Sequence, residues 1–237
     1  MGELTRTDLQ FCVSRIPKDI RELMQKYSLL LGGGFIRNTI SGEKVNDIDL
    51  FGADATILQL AAQEISISRS ARLHETKYAY TILAPPRIPV QLIKRWHYSE
   101  MVKLCDEFDF TVCQAAIRWL SGDPKDAWVS WVGDRFYPDL AAKRLFYTSP
   151  QRDEEVGGSF LRMRKFLQRG YSIQACSMAA VVARLISKLN LNTGLKLNNE
   201  AEVTAVLIGI LREVDPMAVI DGIDFLDEHE IIRLEGE

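Results

Sequence analysis

Two carboxylates, Asp47 and Asp49, stand one residue apart in the stretch NDIDLF. On an extended strand both side chains leave the same face, while Ile48 and Leu50 turn to the other. Acids held that close repel each other unless a cation lies between them. Mg²⁺, or Mn²⁺, suits such a pair, because a hard ion takes one or two carboxylates together with phosphate oxygens and water. Upstream, Gly32, Gly33 and Gly34 end the apolar run SLLL and open a short helical stretch. Backbone N–H groups exposed at such a turn, aided by the helix dipole, can seat a triphosphate. Either feature alone is ordinary, since D-x-D occurs on solvent-facing strands and most glycine clusters are only turns. Side by side they place a metal and a triphosphate together, as in-line nucleotidyl transfer requires.

The elements that must position these groups can be read from periodicity. Pro17 precedes Ile20, Leu23, Met24 and Tyr27, the spacing of one apolar helix face. Ser28 to Leu31 then reads as a strand, Phe35 to Ile40 as a short helix and Asp47 to Phe51 as a strand. Asp54 can cap a helix carrying Ile57, Leu58, Leu60, Ala61 and Ile65. Strands are expected at Tyr78 to Leu83, Pro89 to Ile93 and Ala127 to Val132. FDFTVCQAAIRWL, from Phe108, reads as a strand end running into a helix. After Pro138 the pattern is helical: Pro138 to Leu145, Gly158 to Arg169, Ser172 to Leu189, Asn199 to Val214 and Pro216 to Leu226, with Thr148 to Gly158 as a polar boundary loop. An α/β head followed by a helical region is the coarse plan.

On these residues the chain resembles the polymerase-β-like nucleotidyltransferase superfamily, in its poly(A) polymerase and CCA-adding head-domain form. That family's G-G-x-x-R-D, short helix and D-x-D are matched by GGFIRNTISGEKVNDIDLF from Gly33, through Arg37, Gly42, Asp47 and Asp49, with Asn38 in the place of the motif's aspartate. R-R-D-[FL]-T-x-N-A resembles Glu107 to Ala115, where Asp109, Phe110 and Thr111 are kept, Glu107 and Phe108 replace the arginine pair, and Cys113 replaces the asparagine. DLAAKRL from Asp139 and FLRMRKFLQRGYSI from Phe160 resemble two further motifs in the same order, so the likeness runs from Ser28 to Ile173.

The resemblance implies an α/β (α+β) fold: a nucleotidyltransferase head with a small mixed sheet flanked by helices over residues 1–147, and an all-helical, neck-like domain over 148–237. It implies a template-independent enzyme that moves a nucleoside monophosphate from an NTP to an acceptor hydroxyl, with an RNA 3′ end as the leading acceptor. Asp47 and Asp49 would hold the metal, Asp109 would assist catalysis, and Gly33 and Gly34 would seat the triphosphate. Arg37, and Arg162 with Lys165 three residues apart on one helix face, would contact the nucleotide. Gln91 falls where superfamily members can carry a third carboxylate. Two other classes stay open: a toxin-like or regulatory nucleotidyltransferase modifying a protein or small molecule, and a non-catalytic descendant that binds nucleotide or a partner.

Composition narrows the partners. The chain has 237 residues, 47% of them hydrophobic, and a net charge of −3, which argues against a protein that simply coats nucleic acid. Arg162 to Arg169 is basic, whereas Leu191 to Glu237 holds eleven acids against three bases, a net −8. A short single-stranded end, or a non-RNA acceptor, is therefore expected to be preferred to a whole tRNA. No apolar run approaches the roughly 20 residues of a membrane helix and the N-terminus lacks a signal-peptide pattern, so no membrane association and a cytoplasmic location are expected. Cys12, Cys105, Cys113 and Cys176 read as buried thiols. Asp221, Asp224 and Asp227 read as the solvated face of a helix.

Overall fold

The computed structural model describes residues 2–122, 126–150, 156–193 and 200–212. They fall in two compact units, residues 1–150 and 151–237. The expected helix over Pro216 to Leu226 and its three aspartates lie outside the described residues.

The first unit opens with helices α1 (Arg6–Arg15) and α2 (Lys18–Tyr27). Ile20, Leu23 and Met24 are buried on one face of α2, as the spacing predicts. Strand β1 (Leu30–Gly32) then leads through the glycine turn into α3 (Gly34–Ser41), and β2 (Ile48–Phe51) follows. Helix α4 (Ala55–Ser68) is capped as expected, with Asp54 Oδ1 accepting from Ile57 N at 2.9 Å. Its face differs slightly from the reading, because Leu60 is exposed and Ala62 takes a buried place. Strands β3 (Arg72–Glu75), β4 (Ala79–Leu83) and β5 (Val90–Ile93), helix α5 (Met101–Asp106), strands β6 (Ala115–Leu120) and β7 (Ala127–Val132), and helix α6 (Phe136–Ala141) complete the order.

The strands form one mixed seven-stranded sheet in the order β3-β4-β5-β2-β1-β6-β7, so β2 is central. Its pairing with β5 is parallel and the others are antiparallel. Ile48, Leu50, Ile82, Val90, Leu92 and Ile117 face the main core, where they meet apolar residues of α1 to α4. On the other face Leu30, Phe51 and Ala116 pack with Leu104 and Cys105 of α5.

Two expectations are corrected. AAIRWL is not a helix but β6, and the turn before it is a single 3-10 turn, Thr111–Cys113. Ala115, Ala116 and Ile117 are all buried, one face under the main core and the other under α5, which erases the alternation that marks a strand. The helix after Pro138 also stops early: α6 ends at Ala141, Lys143 takes a left-handed φ of 45°, and Arg144–Leu145 is extended. A residue at positive φ cannot continue a right-handed helix, so the helix ends there.

The second unit contains α7 (Val156–Gln168), α8 (Ala175–Thr193) and α9 (Glu200–Arg212), close to the expected helices, with Ser172–Ile173 extended before α8.

Candidate active site

The sheet register builds the site. Ile48 and Leu50 are fully buried in the main core, so Asp49 leaves by the opposite face, where it is half-buried, as is Asp47 just before the strand. The antiparallel ladder pairs Leu30 with Phe51 and Leu31 with Leu50. Its next position brings Gly32 beside Asp49, so the glycine turn and the carboxylates meet at the same end of adjacent strands.

The turn divides the work among its glycines. A methyl group on Gly32 would lie 3.0 Å from Phe108 Cζ, 3.1 Å from Leu104 Cδ2 and 3.2 Å from Phe51 Cε2, so this glycine makes room for packing. Gly33 has a φ of +70°, which glycine alone adopts freely, and its N–H donates to Ala115 O at 3.1 Å. It shapes the turn and its donor is already engaged. The first helical hydrogen bond of α3 runs from Arg37 N to Gly33 O. The N–H groups of Gly34, Phe35 and Ile36 therefore have no acceptor within the helix, and they form its anion-attracting end. Gly34 is half-exposed, and a methyl there would meet only the Arg37 guanidinium, at 3.6 Å.

Arg37 is buried, with 5% of its surface exposed. Its Nε donates to Asn38 Oδ1 at 3.0 Å and one terminal nitrogen to Cys113 Sγ at 3.1 Å, while Asn38 Nδ2 donates to Lys44 O at 2.8 Å. Two of the residues that depart from the resembled motifs, Asn38 and Cys113, thus touch the same arginine. Phe108, in the place of an arginine, packs edge-on against Phe51 with ring centroids 6.3 Å apart, above the glycine turn.

Asp109 is 4% exposed and sits in an extended segment laid against residues 146–148: Thr111 N donates to Phe146 O, Thr148 N to Asp109 O, and Thr148 Oγ1 to Phe108 O at 2.6 Å. It caps no helix, since the cap of the 3-10 turn is Phe110. Among the described residues no three His, Cys, Asp or Glu side chains group as metal ligands. Gln91 is the direct neighbour of Asp49 across the parallel pair, and Thr81 is the next residue in that row. The oxygens available beside Asp49 thus include a neutral carboxamide, and two carboxylates with such a neighbour fit a hard divalent ion.

One acid of the site's scaffold escaped the sequence reading. Asp139 is fully buried and accepts from Thr111 Oγ1 at 2.6 Å, Arg135 Nε at 3.0 Å and Arg144 Nε at 2.8 Å. Burial pushes its carboxyl pKa up, but the bonds from Thr111, Arg135 and Arg144 outweigh that and hold it below its ordinary value. Asp139 thereby ties α6 to the Asp109 segment. Only the likeness of DLAAKRL to a family motif points to it in the sequence, and nothing there names Thr111 as its partner.

Arg162 and Lys165 lie three apart on α7 in the second unit, both half-buried, each directly preceding a buried residue, Met163 and Phe166. The cysteines divide: Cys12 and Cys105 are buried, Cys113 is intermediate and Cys176 is exposed, against the expectation that all are buried. Burial pushes the Cys12 thiol up to about 12. No described helix is long and apolar enough to cross a membrane.

A central mixed sheet, a glycine turn into a helix and a D-x-D strand beside it define a nucleotidyltransferase head fold. Solved structures share it. A Thermotoga maritima CCA-adding enzyme complexed with tRNA matches with a TM-score of 0.54 and 21% identity, over 91% of this chain and 54% of that one. A CCA-adding enzyme in complex with ATP gives 0.56 and 22%, over 91% and 53%, and one with CTP gives 0.54 and 20%, over 73% and 43%. The chain spans about half the length of these relatives. No curated protein sequence matches it. The chain belongs to the Gabija anti-defense 2 (Gad2) family, whose model matches residues 3–143.

Proposed function

We propose that this protein is a metal-dependent nucleotidyltransferase that moves a nucleoside monophosphate from an NTP to an acceptor hydroxyl, releasing pyrophosphate. The supporting observation is the strand register that sets Asp47 and Asp49 at the same end of adjacent strands as the N-terminus of α3. Asp47 and Asp49 hold Mg²⁺ or Mn²⁺, which supplies charge neutralisation at the reacting phosphate. The N-terminus of α3, opening at the half-exposed Gly34, orients the triphosphate, and Arg37 adds a positive charge behind it. Gly33 gives the turn its shape. Asp109 contacts the sugar or the acceptor.

Two acceptors are in view. An RNA 3′ end follows from the likeness to tRNA-finishing enzymes. The family's anti-defense description favours the other, a protein or small molecule whose modification regulates a defence. Incubating the purified protein with each labelled NTP, Mg²⁺ and a mixed RNA pool, with and without a defence-system extract, separates them: extended RNA supports the first and a labelled protein or small molecule the second. Binding of NTP with no transfer to any acceptor overturns the enzymatic reading. Calorimetric titration of Mg²⁺ in the presence of a non-hydrolysable NTP tests the metal site, and equal affinity in wild type and Asp47→Asn/Asp49→Asn rejects it.

A further inference from the structure

A second concave surface lies on the sheet face away from Asp49. It is a groove of about 400 Å³ lined by Arg6, Leu9, Gln10, Val13, Ser14, Arg21 and Trp128. Trp128 packs at the margin of the main core, on the side to which Ile48 and Leu50 point. On α1 the lining positions are spaced by three and four, so they form one continuous stripe along the helix. Leu9 and Val13 lie within the stripe as its apolar part and, like Trp128, are half-exposed.

Charge marks both ends of this floor. Arg6 begins α1 and is exposed. Arg21 reaches from α2 to donate to Val13 O at 3.3 Å, which fixes its guanidinium near the far end of the stripe. Arg6 and Val13 are seven residues apart, roughly 10 Å along the helix axis. Among the described residues no carboxylate lines the groove. A single phosphate is too small to meet both guanidiniums, whereas an extended peptide covers that span in about three residues.

We propose that this groove docks an acidic, amphipathic segment of a partner protein, with an apolar side chain seated on Leu9, Val13 and Trp128 and carboxylates facing Arg6 and Arg21. The fit rests on charge complementarity along an apolar floor, the arrangement in which a buried anchor supplies affinity and flanking charges set orientation. It is independent of nucleotidyl transfer, because none of the lining residues belongs to the carboxylate site.

Selection of a random peptide-display library on the full chain tests it, with counter-selection on Arg6→Glu and on Arg6→Glu/Arg21→Gln. Enriched peptides are expected to carry acids bracketing an apolar residue. Synthesised and labelled, they should bind the double variant at least about tenfold more weakly, and should weaken with salt. Thermal melts confirm that both variants remain folded, and Arg6→Glu alone, at an exposed position, keeps the test valid if Arg21 proves structural. Enrichment of neutral or basic sequences, equal binding to wild type and Arg6→Glu, displacement of the peptide by ATP without metal, or failure to enrich any peptide overturns the proposal. Displacement by ATP would instead make the groove a nucleotide site.

Discussion

The residues Gly32 to Asp49 and the residues Phe108 to Arg144 each gather polar groups, yet they do so by opposite means. The first is local: a turn, one helix and one strand, with the N-terminus of α3 at the half-exposed Gly34 beside a half-buried Asp49. The second is assembled from distant segments, and its principal acid is consumed internally, Asp139 being enclosed by Thr111, Arg135 and Arg144. A buried charge that already has its counter-charges supports structure, whereas outward donors and acids beside one another are suited to a ligand.

Asp49→Asn should break the first region with the largest effect. Turnover should fall roughly a thousandfold, the several kcal/mol that a bound cation contributes, while the melting temperature barely moves. A variant that transfers normally would make the carboxylate strand structural too and erase the contrast.

Asp139→Ala should do the reverse. Removing one partner of a buried ion pair costs about 3–5 kcal/mol, and the low end is expected because the Arg135 and Arg144 side chains are 45% and 34% exposed and can hydrate. Chemical denaturation measures it. Since the folded carboxyl titrates below its unfolded value, the stabilisation is present above the unfolded pKa and is lost as pH falls through the lower folded one. The stability gap between wild type and Asp139→Asn should therefore be full near neutrality and shrink in acid. A gap that widens in acid contradicts the assignment.

Asp109 stands on the border of the two regions and sharpens the comparison. Asp109→Asn should lower turnover roughly a hundredfold if its carboxylate serves the reaction, with little loss of stability. Normal rates with a lowered melting temperature would move Asp109 to the scaffold. The smallest effect is Asp54→Ala, about 1 kcal/mol from the lost cap of α4 with no change in transfer rate.

The same contrast governs what the sequence made legible. The turn, α3, β2 and the cap of α4 are short-range features, and each was readable from neighbouring residues. The strand β6 reads as a helix because both its faces are buried over Ala115 to Ile117, and β3 gives no strand signal because RLHE is a polar edge strand paired on one side only. The placement of Phe108 over Gly32 and the grip of Arg37 on Cys113 join residues 76 apart, and no local pattern records such contacts. The engagement of Gly33 N–H by Ala115 O likewise depends on β6 being a strand.

The start of the chain closes on its far edge strand: Gly2 bridges to Val132, and Leu4 N donates to Ser130 Oγ at 3.0 Å. During synthesis the ribosome must therefore deliver β7 before the first residues find their place, and until then α1 has only part of its packing surface. Contacts of such long sequence separation slow closure of the sheet and prolong the exposure of apolar surface. A nascent chain arrested before Ala127 should be open to protease at its N-terminus, and one arrested after the first unit has emerged should be protected there.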